Sequence, residues 1–137
     1  ANPIRQPLEN LRQAGSLYGA IIYQKAPIVM QQLEALIGAD AMREGLRAYL
    51  AQHRYGNATW SDLVDVLDAR TPMDVRAWSR AWVEEAWRPQ IEATWRAGEL
   101  LVTQRDPRPD RGLRWTQTMT VAVGTATGVD SVRVELQ

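Results

Sequence analysis

The sequence predicts an α+β protein in which an antiparallel helical array is followed by an antiparallel β-sandwich segment. Up to Pro89 the apolar side chains recur with the 3.6-residue period of helices, and beyond it they alternate with the two-residue period of strands. An apolar content of 45% in 137 residues is enough for a packed core. We therefore expect a helical part over residues 1–88 and a strand-forming part over residues 89–137.

The first two predicted helices are separated by Gly38. One begins near Lys25 or Ala26, with Pro27 in its first turn, where a missing N–H costs nothing, and Gly38 is expected to end it in a left-handed cap. Asp40 is the expected N-cap of the next helix. The apolar stripe predicted for that helix consists of Met42, Leu46, Tyr49, Leu50 and His53.

Two further helix starts are marked by threonine and aspartate three residues apart. Thr59 and Asp62 form a predicted capping box in which aspartate replaces the usual glutamate. The segment 71–74 repeats this start signal, with Asp74 as a cap. The apolar residues of the last helix that are expected to be buried in the core are Val75, Trp78 and Trp82.

The strand-forming part contains four predicted strands. The first alternates Ile91, Ala93 and Trp95 with polar side chains, as a half-buried strand does. Four strands are fewer than the roughly seven of an independent sandwich. The last alternating pattern also continues to Leu136, next to the final residue. We therefore expect this β-sandwich segment to be truncated and the chain to be a piece of a larger protein.

Composition excludes several classes of function. The 16 basic side chains are balanced by 16 acidic ones, which argues against a nucleic-acid partner because such proteins usually carry a basic excess. No apolar run approaches the roughly 20 residues of a membrane span. A chain with one histidine and no cysteine has few ligands for zinc, so no metal-ligating residue is predicted in it. The cellular compartment is left undetermined.

Tyr23 is the strongest candidate for a chemical role. A phenol near the start of a helix can donate a hydrogen bond to an oxyanion, although the residues alone favour a tyrosine that covers the core with its ring. Lys25 is expected to be a solvated side chain and His53 a structural one. The pair Glu84 and Glu85 points in different directions on a helix and is interpreted as a solvated edge rather than a catalytic dyad.

Several ordered motifs resemble the aminopeptidase N family of zinc metallopeptidases. The resemblance covers most of residues 18–95 and lies downstream of that family's zinc site. Its pieces are Tyr23-Gln24-Lys25-Ala26 before an apolar helix, Gly45-Leu46-x-x-Tyr49-Leu50, His53-x-Tyr55-x-Asn57-Ala58-x-x-x-Asp62-Leu63, and Trp78 and Trp82 before Pro89. Ala26 replaces the glycine of the family's Tyr-x-Lys-Gly motif. Trp87 stands where the family usually has glycine, so we expect a differently built corner there.

The resemblance implies a fold and a mechanism. Residues 1–88 would be the C-terminal part of a thermolysin-like catalytic domain, packed against the part that precedes it, and residues 89–137 the start of a small β-sandwich domain. In the family, zinc polarises the scissile carbonyl of a peptide substrate, and the motif tyrosine stabilises the tetrahedral intermediate. By resemblance, Tyr23 would have that catalytic role. The zinc ligands, including a His-Glu-x-x-His helix, would belong to the full-length parent.

Two alternatives remain open from the sequence. The chain could be a non-catalytic module that binds a protein partner through its tryptophan-rich face, or it could come from a metal-free relative that kept the fold. Absence of a His-Glu-x-x-His helix from the parent would favour either alternative over the aminopeptidase.

Overall fold

The computed structural model describes residues 2–17, 19 and 21–137. Tyr18, where the resemblance begins, lies outside these described residues. Their Cα atoms group into two compact units, residues 1–86 and residues 87–137. The first unit is helical and the second contains the strands, so the α+β class is confirmed.

Within the described residues, the helical unit contains four α-helices flanked by short 3-10 and π-helical turns. The α-helices are α1 (Ala26–Ile37), α2 (Ala39–Gln52), α3 (Trp60–Asp68) and α4 (Val75–Ser79). A 3-10 helix spans Leu11–Leu17, and π-helical turns span Ile21–Lys25 and Arg80–Glu84. Helices that follow one another in the sequence pack against each other.

The core of the helical unit is formed by apolar side chains of α1, α3 and α4. Leu33 of α1 and Leu67 of α3 are completely buried, as is Val75 at the start of α4. Trp78 and Trp82, predicted from their helical spacing, are also buried, which confirms the stripe of the last helix. Apolar side chains at helical spacing therefore identified this core correctly.

The junction between α1 and α2 differs from its prediction. Gly38 has φ 90° and ψ 147°, so its φ is positive but its conformation is not the left-handed helical one. Gly38 is also the N-cap of α2, and Asp40 lies inside the first turn, where it pairs with Arg43 at 2.7 Å. The prediction of Asp40 as N-cap was wrong. A carboxylate is favourable both at the N-cap and inside the first turn of a helix, so the sequence does not tell these two positions apart.

The buried face of α2 is rotated away from its predicted stripe. Met42 and Gly45 are buried, whereas Leu46 is 39% exposed and Leu50 is 67% exposed. The prediction of Leu46 and Leu50 as inward residues was wrong because the buried position that follows Met42 on this helix is Gly45. A glycine adds nothing to a hydrophobic pattern, so the pattern was drawn through the leucines instead.

The starts of α3 and α4 are capped by their own side chains. Thr59 and Asp62 form the predicted capping box, with the Thr59 N–H donating to Asp62 Oδ2 at 2.8 Å and the Asp62 N–H to Thr59 Oγ1 at 3.3 Å. Asp74 is the N-cap of α4 and accepts from the Ala77 N–H at 2.7 Å. Thr71 lies before this cap, where its hydroxyl accepts from the Met73 N–H.

The second unit contains two separate antiparallel hairpins in its described residues. One pairs β1 (Gln90–Arg96) with β2 (Glu99–Arg105), and the other pairs β3 (Gln117–Thr125) with β4 (Gly128–Leu136). Each sheet has two strands, so the β-sandwich itself stays a prediction. A hydrogen bond of 3.1 Å from Gln117 Nε2 to Gln104 Oε1 links the two hairpins.

The first strand is more exposed than its alternation predicted. All seven residues of β1 are exposed, including Ile91 at 41% and Trp95 at 61%. The expectation of a half-buried strand was wrong because β1 pairs only with β2, and a two-stranded ribbon covers little of its own surface. Trp115, in contrast, is 1% exposed, and the Arg111 guanidinium lies over its ring at 5.6 Å.

The corner before β1 has an unusual backbone at Trp87. Its φ is 83°, in the left-handed region that favours glycine. The sequence led us to expect a differently built corner because tryptophan replaces a family glycine. The structure places a bulky side chain on a glycine-type conformation at this residue, and the differently built corner stays a prediction.

Candidate functional site

Tyr23 lies on the π-helical turn Ile21–Lys25, which leads directly into α1. Its backbone N–H donates to the Gly19 carbonyl oxygen at 3.0 Å. Its side chain is 67% exposed, so the ring does not cover the core as the structural interpretation of the sequence expected. The phenol of Tyr23 thus lies at the surface, on a helical turn held by a backbone hydrogen bond. Such π-helical turns are frequent at functional sites.

Lys25 ends the same turn and is the N-cap residue of α1. Its Nζ donates to the backbone carbonyl oxygen of Asn2 at 3.0 Å, across 23 residues of sequence. Burial lowers the pKa of the Lys25 ammonium, because desolvation disfavours the charged form. Lys25 is half-buried and its hydrogen bond lies near the surface, so the prediction of a solvated lysine holds only in part. No sequence signal indicated this contact, since its acceptor is a backbone atom far away in the chain.

The N-terminal segment that receives Lys25 is itself attached to the end of the helical unit. The Arg5 N–H donates to the Val83 carbonyl oxygen at 2.9 Å. The Arg5 guanidinium also lies 3.9 Å from Glu84 Oε2, in a partly exposed ion pair. The start of α1 and the π-helical turn Arg80–Glu84 are thus both connected to residues 2–5.

An apolar cavity lies beside this segment. It has a volume of about 300 Å³ and is bordered by α1 and the turn after α4. Its lining residues are Ile4, Arg5, Ala26, Val29, Met30, Trp60 and Val83. Tyr23 is not among them, so the phenol belongs to the exposed surface and not to this cavity.

A buried hydrogen-bond chain supports the turn that holds Val83 and Glu84. Trp60 Nε1 donates to Ser79 Oγ at 2.8 Å, and Ser79 Oγ donates to Glu84 Oε1 at 3.0 Å. Ser79 is 1% exposed. Glu84 therefore fixes a buried hydroxyl and is not simply the solvated edge that was predicted. Ser79 was missed in the sequence because a lone serine beside a tryptophan carries no recognisable motif.

The remaining predicted polar residues have structural surroundings. His53 is half-buried at the C-terminal end of α2, with its ring 5.2 Å from the Tyr49 ring. Asp62 caps α3, and hydrogen bonds from the Thr59 side chain and backbone lower the pKa of Asp62. Among the described residues, no group of three or more His, Cys, Asp or Glu side chains could hold a metal ion.

Comparison with known proteins decides the family. Residues 1–82 match the Peptidase family M1 domain. The chain belongs to peptidase family M1. This M1 chain is 35% identical over 95 residues to Aminopeptidase N of Streptomyces lividans, covering 66% of this chain and 11% of that protein. The resemblance to the aminopeptidase N family is thus confirmed.

Other M1 relatives agree with this assignment. Aminopeptidase N of Lactobacillus helveticus is 30% identical over 119 residues, which cover 82% of this chain and 14% of that protein. Aminopeptidase M1 of Arabidopsis thaliana is 26% identical over 129 residues, covering 91% of this chain and 15% of that protein. The M1 chain thus spans 11% to 15% of the length of these three relatives.

Proposed function

We propose that this M1 chain is part of a zinc-dependent aminopeptidase that hydrolyses N-terminal residues from peptides, and that Tyr23 is a catalytic residue of that enzyme. Tyr23 would donate its phenolic O–H to the oxyanion that develops when the scissile carbonyl becomes tetrahedral. A preorganised donor of this kind stabilises the transition state because its dipole is already oriented when charge develops.

The exposed phenol of Tyr23 is the observation that carries this proposal. Tyr23 is 67% exposed, so its phenol lies at the surface, while the hydrogen bond to Gly19 holds the backbone of the turn. Several relatives are aminopeptidases N, which supports peptides as the substrate class. A phenol suits a peptide carbonyl, since its O–H can donate a hydrogen bond to the oxygen of that carbonyl as the oxygen becomes negatively charged.

The described residues do not fit a zinc site, since none of their acidic and histidine side chains form a group that could hold a metal ion. We therefore assign the zinc ligands of the proposed enzyme to parts of the parent outside this chain. The role of this chain in the proposal is limited to its own groups: Tyr23 as donor and the helices that hold it.

The two parts of the chain have different places in the proposed parent. Residues 1–88 are proposed to complete a thermolysin-like catalytic domain, and residues 89–137 to begin a small β-sandwich domain. Apolar side chains near Tyr23 support packing of the helical part against a preceding one, because Ile22 is 40% exposed and Ile28 is 60% exposed.

The test uses the full-length parent, with release of the free N-terminal amino acid from a peptide as the assay. Tyr23→Phe should lower turnover by about 100-fold or more with zinc content unchanged, as loss of one oxyanion donor does. Tyr55→Phe is the matched control, because Tyr55 is 97% exposed in a different turn, and it should leave turnover unchanged. Full turnover in Tyr23→Phe would remove Tyr23 from the mechanism. A parent without zinc or peptidase activity would favour a non-catalytic interaction module.

A further inference from the structure

Lys25 is the single lysine among the 16 basic side chains of this chain, and its contact joins two parts that carry the proposed site. It ends the π-helical turn that bears Tyr23, and its ammonium donates to the Asn2 carbonyl oxygen at 3.0 Å. We infer that Lys25 is a positioning residue that holds the Tyr23 turn in place through this hydrogen bond. The inference rests on the proposed function of Tyr23.

The start of α1 lacks a capping hydrogen bond from its own N-cap side chain. Lys25 occupies the N-cap position with φ −70° and ψ −50°, which is helical, and its side chain does not cap the first turn of α1. A helix start normally relies on a side-chain acceptor to fix the direction of the incoming chain. Here the Lys25 side chain is a donor and not an acceptor: it fixes the helix start by donating to the backbone of the N-terminal segment, at Asn2.

The attachment at Asn2 leads back to the helical core. Asn2 is three residues from Arg5, whose N–H donates to Val83 at 2.9 Å. Val83 is 4% exposed, so this end of the connection is fixed in the packed interior. A lysine amine bound to a carbonyl of a segment held in this way is restrained, even though its own hydrogen bond lies near the surface.

In this proposal, Lys25 acts on Tyr23 through the backbone of the turn. Residues two apart on a helical turn lie on opposite sides of it and do not face each other. Accordingly, Lys25 is half-buried while Tyr23 is 67% exposed. Holding the inner side of the turn keeps the outer side, with the phenol, directed away from the core. A small displacement of such a group strongly lowers a rate that depends on its alignment.

The variants are made in the zinc-loaded full-length parent. Lys25→Met keeps the apolar stem and removes the donor, and should lower kcat about tenfold because the donor is misaligned. KM should stay within about twofold, since the loss falls on the transition state. Lys25→Arg keeps a donor and a charge and should restore most of kcat. Arg12→Met, which removes one charge from an exposed position, is the control and should leave kcat unchanged.

A double-variant comparison separates positioning from general damage. In a Tyr23→Phe background, Lys25→Met should cause no further loss, because the group that it positions is already gone. Zinc content should be the same in all variants. Amide hydrogen exchange over residues 21–25 should be about tenfold faster in Lys25→Met, as expected for one lost hydrogen bond.

The outcomes distinguish the two proposals. Unchanged kcat in Tyr23→Phe would overturn the proposed function itself, whatever Lys25→Met does. A large loss in Tyr23→Phe with unchanged kcat in Lys25→Met would overturn only the positioning role. The positioning role would also be overturned if the losses of kcat multiplied in the double variant. It would be overturned as well by a loss of kcat in Lys25→Met with unchanged amide exchange over residues 21–25. No recovery in Lys25→Arg would contradict the requirement for a donor.

Discussion

Gly45 of α2 packs directly against Leu67 of α3, so that a β-carbon added to Gly45 would overlap Leu67 Cδ2. Leu67 is completely buried and has little space to move away. Gly45→Ala should therefore destabilise the chain. Overpacking costs about 1–3 kcal/mol, of which about 1 kcal/mol is recovered from the better helix propensity of alanine. We expect a net loss of roughly 1 kcal/mol in urea unfolding followed by tryptophan fluorescence.

Gly15→Ala is the control for this prediction. Among the described residues, apart from its chain neighbours and its own helix backbone, no atom lies within 4 Å of the position that its β-carbon would occupy, so the substitution should be neutral or slightly stabilising. Leu67→Val in the Gly45→Ala background should recover part of the loss, since it removes bulk at the overlap. Equal stability of Gly45→Ala and Gly15→Ala would contradict the close packing of α2 on α3.

Sequence periodicity identified the buried faces where large side chains pack, but not where glycine does. Trp78 and Trp82 were correctly placed in the core, whereas Leu50 was wrongly placed because Gly45 carries the α2 contact. Caps could be read from the sequence when the side chain and its target are three residues apart, as for Thr59 and Asp62. Asp40 could not be resolved because two positions in a helix start are both favourable for aspartate.

The candidate site depended on information of a different kind. Tyr23 was selected through a family resemblance, since the residues around it favoured a structural tyrosine. The contact of Lys25 with Asn2 could not be predicted, because a lysine donating to a distant backbone carbonyl leaves no pattern in the sequence. Ser79 was missed for the same reason: its partners Trp60 and Glu84 come together only after the helices pack.

The capping box of α3 predicts a measurable loss on removal of its hydroxyl. Thr59 Oγ1 accepts from the Asp62 N–H and donates to Asp62 Oδ2, and Thr59→Ala removes both bonds. We expect a loss of about 1 kcal/mol in urea unfolding, the usual cost of deleting an N-cap side chain. Thr59→Ser keeps the hydroxyl and should retain most of the stability. Equal losses in both variants would show that the threonine methyl group, and not the cap, is responsible.

Because the φ of Trp87 is positive, we expect glycine to be more stable than alanine at this position, the reverse of the usual order. Both Trp87→Gly and Trp87→Ala remove the ring, so their difference reports the backbone alone. At φ 83° a β-carbon is strained by about 1–2 kcal/mol, which exceeds the extra conformational entropy that glycine loses on folding. Trp87→Gly should therefore be more stable than Trp87→Ala by roughly 0.5–1 kcal/mol in thermal or urea unfolding.

At a position with negative φ, the alanine variant is usually more stable than the glycine variant. The same two substitutions at Arg88, the next position and one without positive φ, provide that reference. Trp87→Ala at least as stable as Trp87→Gly would show that the corner does not impose the glycine-type conformation in solution.

The ion pair between Asp106 and Arg111 predicts a pH dependence of stability. The two side chains are 4% and 11% exposed, with 2.7 Å between Asp106 Oδ1 and an Arg111 guanidinium nitrogen. Burial opposes ionisation of Asp106, but the Arg111 guanidinium and the N–H groups of Arg108 and Leu113 outweigh it. The pKa of Asp106 is therefore below its ordinary value.

Because the folded pKa of Asp106 lies below the unfolded one, its contribution to stability is fully present above the unfolded pKa, about 4. It is lost as the pH falls through the folded pKa. Asp106→Asn should lower the urea midpoint at pH 7. The difference from wild type should begin to shrink below about pH 4, where the unfolded chain takes up a proton at Asp106, and should vanish below the folded pKa, where folded wild type is neutral there too. Asp110→Asn, at a side chain that is 70% exposed and 3.7 Å from Arg108, should change the midpoint little. A difference between Asp106→Asn and wild type that stays constant from pH 7 to pH 3 would contradict an ionised Asp106 as the stabilising group.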